Sequence, residues 1–190
     1  MGVHVAPSDV DTVGRGVRLA VDVGTVRVGV ASSDPDGLLA TPVETLARAA
    51  SKPSSTAADV ARIADEARER RAEVVYVGLP RHLSGAEGSS AGVARAYAVA
   101  LAHAVRPVQV RLVDERMSTV SAHHALQAAG RSGRRHREVV DQAAAVVILQ
   151  HALDMERTTG RRPGERVEVD RDRSGPARGG VVGDGTTTVE

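Results

Sequence analysis

The sequence predicts an α/β fold built on a mixed five-stranded sheet that opens with an antiparallel hairpin, continues with parallel strands and carries helices on both faces. Three observations predict it. Two β-rich runs, residues 18–23 (RLAVDV) and 26–32 (VRVGVAS), are split by Gly24 and Thr25, a turn short enough for an antiparallel hairpin. Two further apolar runs, residues 73–78 (EVVYVG) and 108–113 (VQVRLV), alternate with helical stretches, an order that calls for crossover connections and parallel strands. A length of 190 residues suits one well-buried core and is short for two enzyme domains.

The elements follow in order along the chain. Residues 1–16 mix Gly, Asp, Ser and Val without periodicity and read as a disordered leader. The folded body is expected over 17–157, with a third strand near 38–46 after the hairpin. Thr56 followed by Asp59 resembles a capping box for a helix to about Arg71, with Val60, Ile63, Ala64 and Ala67 on one face. Residues 88–105 are Ala-rich and helical. Ser118 is placed to cap a helix to about Ala129, which Gly130 ends, and 131–137 reads as a loop before a long final helix over 138–157. From Arg161 the composition shifts to Arg, Gly, Asp and Thr, so 158–190 is expected to be a disordered polar tail.

Composition narrows the function. The chain is 42% hydrophobic and 26% charged, with two Tyr and no Phe or Trp, so small and β-branched side chains must build the core. Stacking of bases on aromatic platforms is thereby largely excluded, and any nucleic acid must be gripped through its phosphates. With no Cys there are no disulfides, thiolate metal sites or thiol nucleophiles. No apolar stretch is long enough to span a bilayer, and 1–16 lacks the apolar core of a signal peptide, so a cytoplasmic protein without a membrane partner is expected. A net charge of +1 provides no global pull on polyanions, which makes local patches the informative feature.

Three acids stand out. Asp22 interrupts an apolar strand, where a carboxylate is unfavourable unless something pairs with it. Asp114 and Glu115 end the 108–113 strand, at the carboxyl edge where ligands bind in open α/β sheets, and their alternation lets only one of them face a given side. Asp141 heads the stripe Ala144, Ala145, Ile148, Leu149 and Ala152, the face that should lie on the sheet. Attraction to the helix N-terminus would account for an acid in the first turn of that helix, but not for its choice of face. Carboxylates from separate elements are what two divalent cations roughly 4 Å apart require to activate water and stabilise the leaving oxygen of a phosphodiester. Asp22, Glu115 and Asp141 are therefore the expected catalytic and metal-binding set, with Asp114 as a further metal candidate.

These residues also resemble a known family. Asp22-Val23-Gly24-Thr25, then Arg27 to Ala31 (RVGVA), Val77-Gly78-Leu79-Pro80, Val113-Asp114-Glu115-Arg116 with Ser118 and Thr119, and finally Val140 to Ala145 (VDQAAA) with Ile148-Leu149-Gln150 are similar, in order and spacing, to the YqgF family. Its RuvX-type members are also called Holliday junction resolvases or pre-16S rRNA nucleases. The resemblance implies a ribonuclease-H-like fold, a nuclease using Mg2+ or Mn2+, and trimming of the 5′ end of the 16S rRNA precursor, on ribosomal particles or free RNA. It places the family's acids on Asp22, Glu115 and Asp141. The chain departs from the family after Pro80: where Asn, and an Asp before the next Gly, are usual, Arg81, His82, Leu83 and Ser84 precede Gly85.

Arg81, His82 and Arg116, with Arg131, Arg134, Arg135 and Arg137 on the loop before Asp141, are the expected nucleic-acid contacts, gripping backbone without reading sequence. Branched DNA fits them as well as rRNA, and a non-catalytic RNA-binding assembly factor is the alternative outside enzymology. A phosphotransferase reading, prompted by Asp22 to Thr25, lacks the second phosphate loop that such enzymes carry. Monomer and homodimer are both compatible with the sequence.

Overall fold

The computed structural model describes residues 13–49, 52–81, 87–115 and 134–169. Strands β1 (Val17–Val23), β2 (Arg27–Ser33) and β3 (Ala40–Ala47) form an antiparallel meander. Helix α1 (Ala58–Glu69) crosses to β4 (Ala72–Leu79), which pairs parallel to β1, and α2 (Ser89–Ala104) crosses to β5 (Gln109–Asp114), parallel to β4. Helix α3 (Arg134–Thr159) and a short strand β6 (Glu165–Arg166) complete the described chain. The sheet order is β3-β2-β1-β4-β5-β6. Among the first five strands β2 alone runs against its neighbours, which is the ribonuclease-H-like arrangement.

Alternation along the strands divides the interior into two cores. Leu19, Val21, Val28, Val30, Val75, Val77, Val110 and Leu112 face α1 and α2. Ala20, Ala31, Val74, Tyr76 and Val113 face α3, which answers with Ala145, Ile148, Leu149, Ala152 and Leu153. Those five recur at the helical spacing, and the alanines among them let the helix lie close to the sheet. Gln150 ties α3 to the outer strand: its side-chain carbonyl accepts from the Ala40 amide at 3.0 Å and its amide donates to the Leu38 carbonyl at 3.2 Å.

The chain's two tyrosines are both buried, one under each layer of helices. The Tyr97 hydroxyl donates to Asp59 at 3.1 Å, between α2 and α1. The Tyr76 hydroxyl donates to Glu156 of α3, whose other oxygen accepts from Arg18 Nε at 2.8 Å. Arg18 and Glu156 are 2% and 3% exposed, so this is a fully buried ion pair, completed by hydrogen bonds from the guanidinium to the carbonyls of Gly14 and Gly16. Neither tyrosine is available to stack on a base.

Several sequence expectations are corrected. Among the described residues the sheet has six strands rather than five, because part of the segment expected to be a disordered tail from 158 onward is built into it. Arg111 explains why: its guanidinium donates to the carbonyls of Pro163 and Gly164, each at 2.8 Å, and Gly164, at φ +82°, turns the chain alongside β5. Val167 and Val169 then pack against the core. At the other end, the Gly16 amide donates to the Pro35 carbonyl at 2.8 Å, so the last residues of the expected leader contact the body. The capping box at Thr56 does not form: Ala57 is the N-cap of α1, without a side-chain cap. The final helix begins at Arg134 rather than 138, since Arg is a good helix former and no breaker follows Gly133. The helix expected over 118–129 lies outside the described residues.

Candidate active site

Because β1, β4 and β5 are mutually parallel, their carboxyl ends meet at one edge of the sheet. The edge gathers Asp22, the sixth residue of β1, with Gly78 and Leu79 of β4 and Asp114 and Glu115 at the end of β5. Alternation places Asp22 in the row of Arg18 and Ala20, on the α3 face. Gly78 follows Tyr76 on that face, and Glu115 follows Arg111 and Val113.

The decisive local feature is Gly78. A Cβ there would stand 2.4 Å from Glu115 Oε1 and 2.7 Å from Ile148 Cδ1. The hollow left by the missing side chain is thus filled by the carboxyl of Glu115, with Ile148 of α3 beside it. A glycine inside a strand often marks such a close approach. The geometry separates Asp114 from Glu115: Glu115 lies on the α3 face with Asp22. Asp114 continues the opposite row of Val110 and Leu112, with Arg81 Nε 4.0 Å from its carboxylate. Of the two, Glu115 is the one placed on the same face as Asp22, and Asp114 bears on it through its charge.

That charge is felt. Burial, then the negative charges of Asp22 and Asp114, push the Glu115 carboxyl up to about 7 from its ordinary 4.5. Burial first, and the two neighbouring acids second, disfavour the charged form of Glu115, and a cation bound beside it would reverse the effect. The donors are hard carboxylate oxygens, the ligand type that a divalent cation takes, and Gly78 leaves room for the Glu115 side chain at this edge. Among the described residues no group of three metal-ligating side chains converges. The third expected ligand, Asp141, has its backbone in α3 one turn before Ala145, but its side chain lies outside the described residues. It is the eighth residue of the helix, which begins at Arg134, so the explanation by attraction to a helix N-terminus no longer applies.

The basic candidates fare unevenly. Arg81 sits at the edge, its side chain 30% exposed, and donates to Glu87 at 3.1 Å. Arg134, Arg135 and Arg137 belong to the first turn of α3 instead of a loop, and their side chains lie outside the described residues. His82, Arg116 and Arg131 lie outside them altogether. Sequence reasoning did not single out Gly78, though a glycine in the run EVVYVG was a usable signal, nor Ile148 as the wall beside Glu115. Arg95 and Glu165, which lie behind Arg81, gave no sequence signal.

The chain as a whole is similar to known proteins. The family model described as "RuvX: Holliday junction resolvase" matches residues 16–155. A protein of Nocardia farcinica is 55% identical over 130 residues, 68% of this chain and 72% of its own. One of Thermobifida fusca is 53% identical over 160 residues, 80% of this chain and 96% of its own. Each carries the name "Putative pre-16S rRNA nuclease". Among solved structures, "T. thermophilus RuvC in complex with Holliday junction substrate" aligns at 18% identity and a TM-score of 0.49, covering 78% of this chain and 99% of that one.

Proposed function

Since the chain belongs to the RuvX family and is a nuclease that hydrolyses phosphodiester bonds, we propose that it is a metal-dependent one whose acids are Asp22, Glu115 and Asp141, and whose substrate is the 5′ region of the 16S rRNA precursor. The observation that carries the metal-dependent reading is the Glu115 carboxyl lodged over Gly78 and raised to about 7 by burial and its acidic neighbours. Such crowding of like charge is unfavourable by itself and becomes favourable when a divalent cation is bound.

The division of labour follows from position. Asp22 and Glu115 present oxygens from two strands on one face, and Asp141 is the ligand proposed from the helix across it. The chemistry supplied by bound Mg2+ or Mn2+ is activation of water and stabilisation of the leaving oxygen. Gly78 lets the Glu115 side chain lie against β4, in a hollow that Ile148 of α3 also borders. Arg81 stands at the mouth of the edge, where a phosphate of the substrate backbone would arrive. The names carried by the relatives favour precursor rRNA, whereas the family description favours branched DNA. Cytoplasmic action, on free RNA or ribosomal particles, accords with a chain that has no Cys.

The test is cleavage of a short precursor-like RNA and of a four-way DNA junction, with and without Mg2+, by the wild type and by Asp22→Asn. Metal-dependent RNA cleavage is expected, with a loss in the variant exceeding the roughly 10- to 100-fold typical of removing an outer supporting group. Equal cleavage by the variant would sink the assignment of the acids. Cleavage of the junction alone would move the substrate to branched DNA.

A further inference from the structure

A chain of ion pairs leads away from the acidic edge. Arg81 has Nε 4.0 Å from Asp114 and donates from NH2 to Glu87 at 3.1 Å. Glu87, in turn, is held by Arg95 of α2 through two hydrogen bonds of 2.8 Å. Arg95 makes two more, also 2.8 Å each, to Glu165 of β6. One planar guanidinium thus grips two carboxylates, each with a pair of hydrogen bonds, a geometry that fixes both acids rather than merely attracting them. Arg81 differs. It makes a single hydrogen bond among the described residues, its buried Nε has no hydrogen-bond partner there, and its side chain is 30% exposed. It is a cation oriented from behind, with most of its donors left for something else.

We propose that Arg95 and Glu165 are positioning residues for the nuclease reaction: they clamp Glu87, and through it aim the Arg81 guanidinium at a substrate phosphate beside the acidic edge. The segment after α3 thereby becomes part of the substrate-binding apparatus, although Glu165 does not reach the site. This inference rests on the nuclease reading given above and adds to it the residues that hold the phosphate contact in place.

The test uses the full-length protein. Steady-state cleavage, and binding in EDTA across a salt series, are measured with whichever of the short RNA and the DNA junction the wild type processes. Arg95→Ala is expected to raise KM about tenfold, the size of one charge-assisted hydrogen bond, with kcat little changed and the salt slope of binding reduced by about one phosphate contact. Glu165→Gln is expected to move the same quantities in the same direction by less. Arg95→Lys is expected not to rescue, because an ammonium cannot grip two carboxylates in this way. In the double variant Arg81→Ala, Arg95→Ala the losses should coincide with those of Arg81→Ala alone. A purely structural role would lower the active fraction, and so kcat, while leaving KM and the salt slope where they were; that result, or additive losses in the double variant, overturns the proposal. If the wild type neither binds nor cuts either substrate, the nuclease reading falls and takes this one with it. If the wild type cuts and Arg81→Ala binds normally, only the positioning role is lost.

Discussion

The carboxyl of Glu115 lies where a side chain on Gly78 would have to be, with Oε1 2.4 Å from the position of a Cβ at residue 78. A residue of β4 and the residue just past β5 therefore meet in one volume, and the absence of a side chain on the first lets the second reach the sheet.

Gly78→Ala tests this directly. The new methyl would collide with both Glu115 and Ile148, and overpacking of this kind costs about 1–3 kcal/mol. A fall in the urea midpoint together with at least a tenfold loss of single-turnover cleavage is expected. Wild-type cleavage by this variant would show that the location of Glu115 has no bearing on catalysis.

The titration of Glu115 should be visible in stability. Its folded value, about 7, lies above its ordinary 4.5, so the folded state holds the proton more tightly than the unfolded one. Stability of the metal-free protein should then fall as pH rises from about 4.5 to 7, with the full penalty present above 7. The expected penalty is about 3 kcal/mol, or roughly 6–12 °C in Tm. Thermal melts in EDTA from pH 5 to pH 8 should show that slope flattened in Glu115→Gln; an unchanged slope would remove Glu115 as its source.

The pair Arg18 and Glu156 gives a prediction remote from the site. Glu156→Ala leaves a guanidinium that is 2% exposed without its carboxylate and deprives Tyr76 of its acceptor. A loss of about 3–5 kcal/mol in chemical denaturation is expected, whereas joint replacement of Arg18 and Glu156 by Met and Leu should be much milder. A small effect of Glu156→Ala would mean that water reaches the pair.

Gly164→Ala examines the returning segment. At φ +82° any side chain is strained, and a Cβ would stand 2.2 Å from the Leu112 carbonyl oxygen. The loss should exceed the roughly 1 kcal/mol expected for a left-handed residue alone. Hydrogen exchange at the Val167 amide, which donates to the Val110 carbonyl, would report whether β6 has detached.

Much of the fold was legible because hydrophobic period and turn chemistry agree. The hairpin at Gly24 and Thr25, the helix face of Val60, Ile63, Ala64 and Ala67, and the parallel strands β4 and β5 all follow from local pattern. Asp22 was legible as an acid out of place in an apolar strand. What escaped depends on partners distant in sequence. Arg18 reads as a strand terminus until Glu156 meets it, and 161–169 reads as too polar to bury until Arg111 supplies donors for its carbonyls. The Thr56 box failed for a different reason: a local motif was available, but the chain started its helix at Ala58 and left Thr56 in the preceding turn.

Among the described residues, the edge of β5 is covered by the short strand β6, Glu165 and Arg166, and by the Val167 amide that follows it. A chain cut short where the composition turns polar would bare the backbone of β5 along its outer side, and an uncovered strand invites pairing with another molecule. Such a truncated protein would be expected to self-associate, and poor behaviour in that form would say nothing about the chemistry of the intact chain.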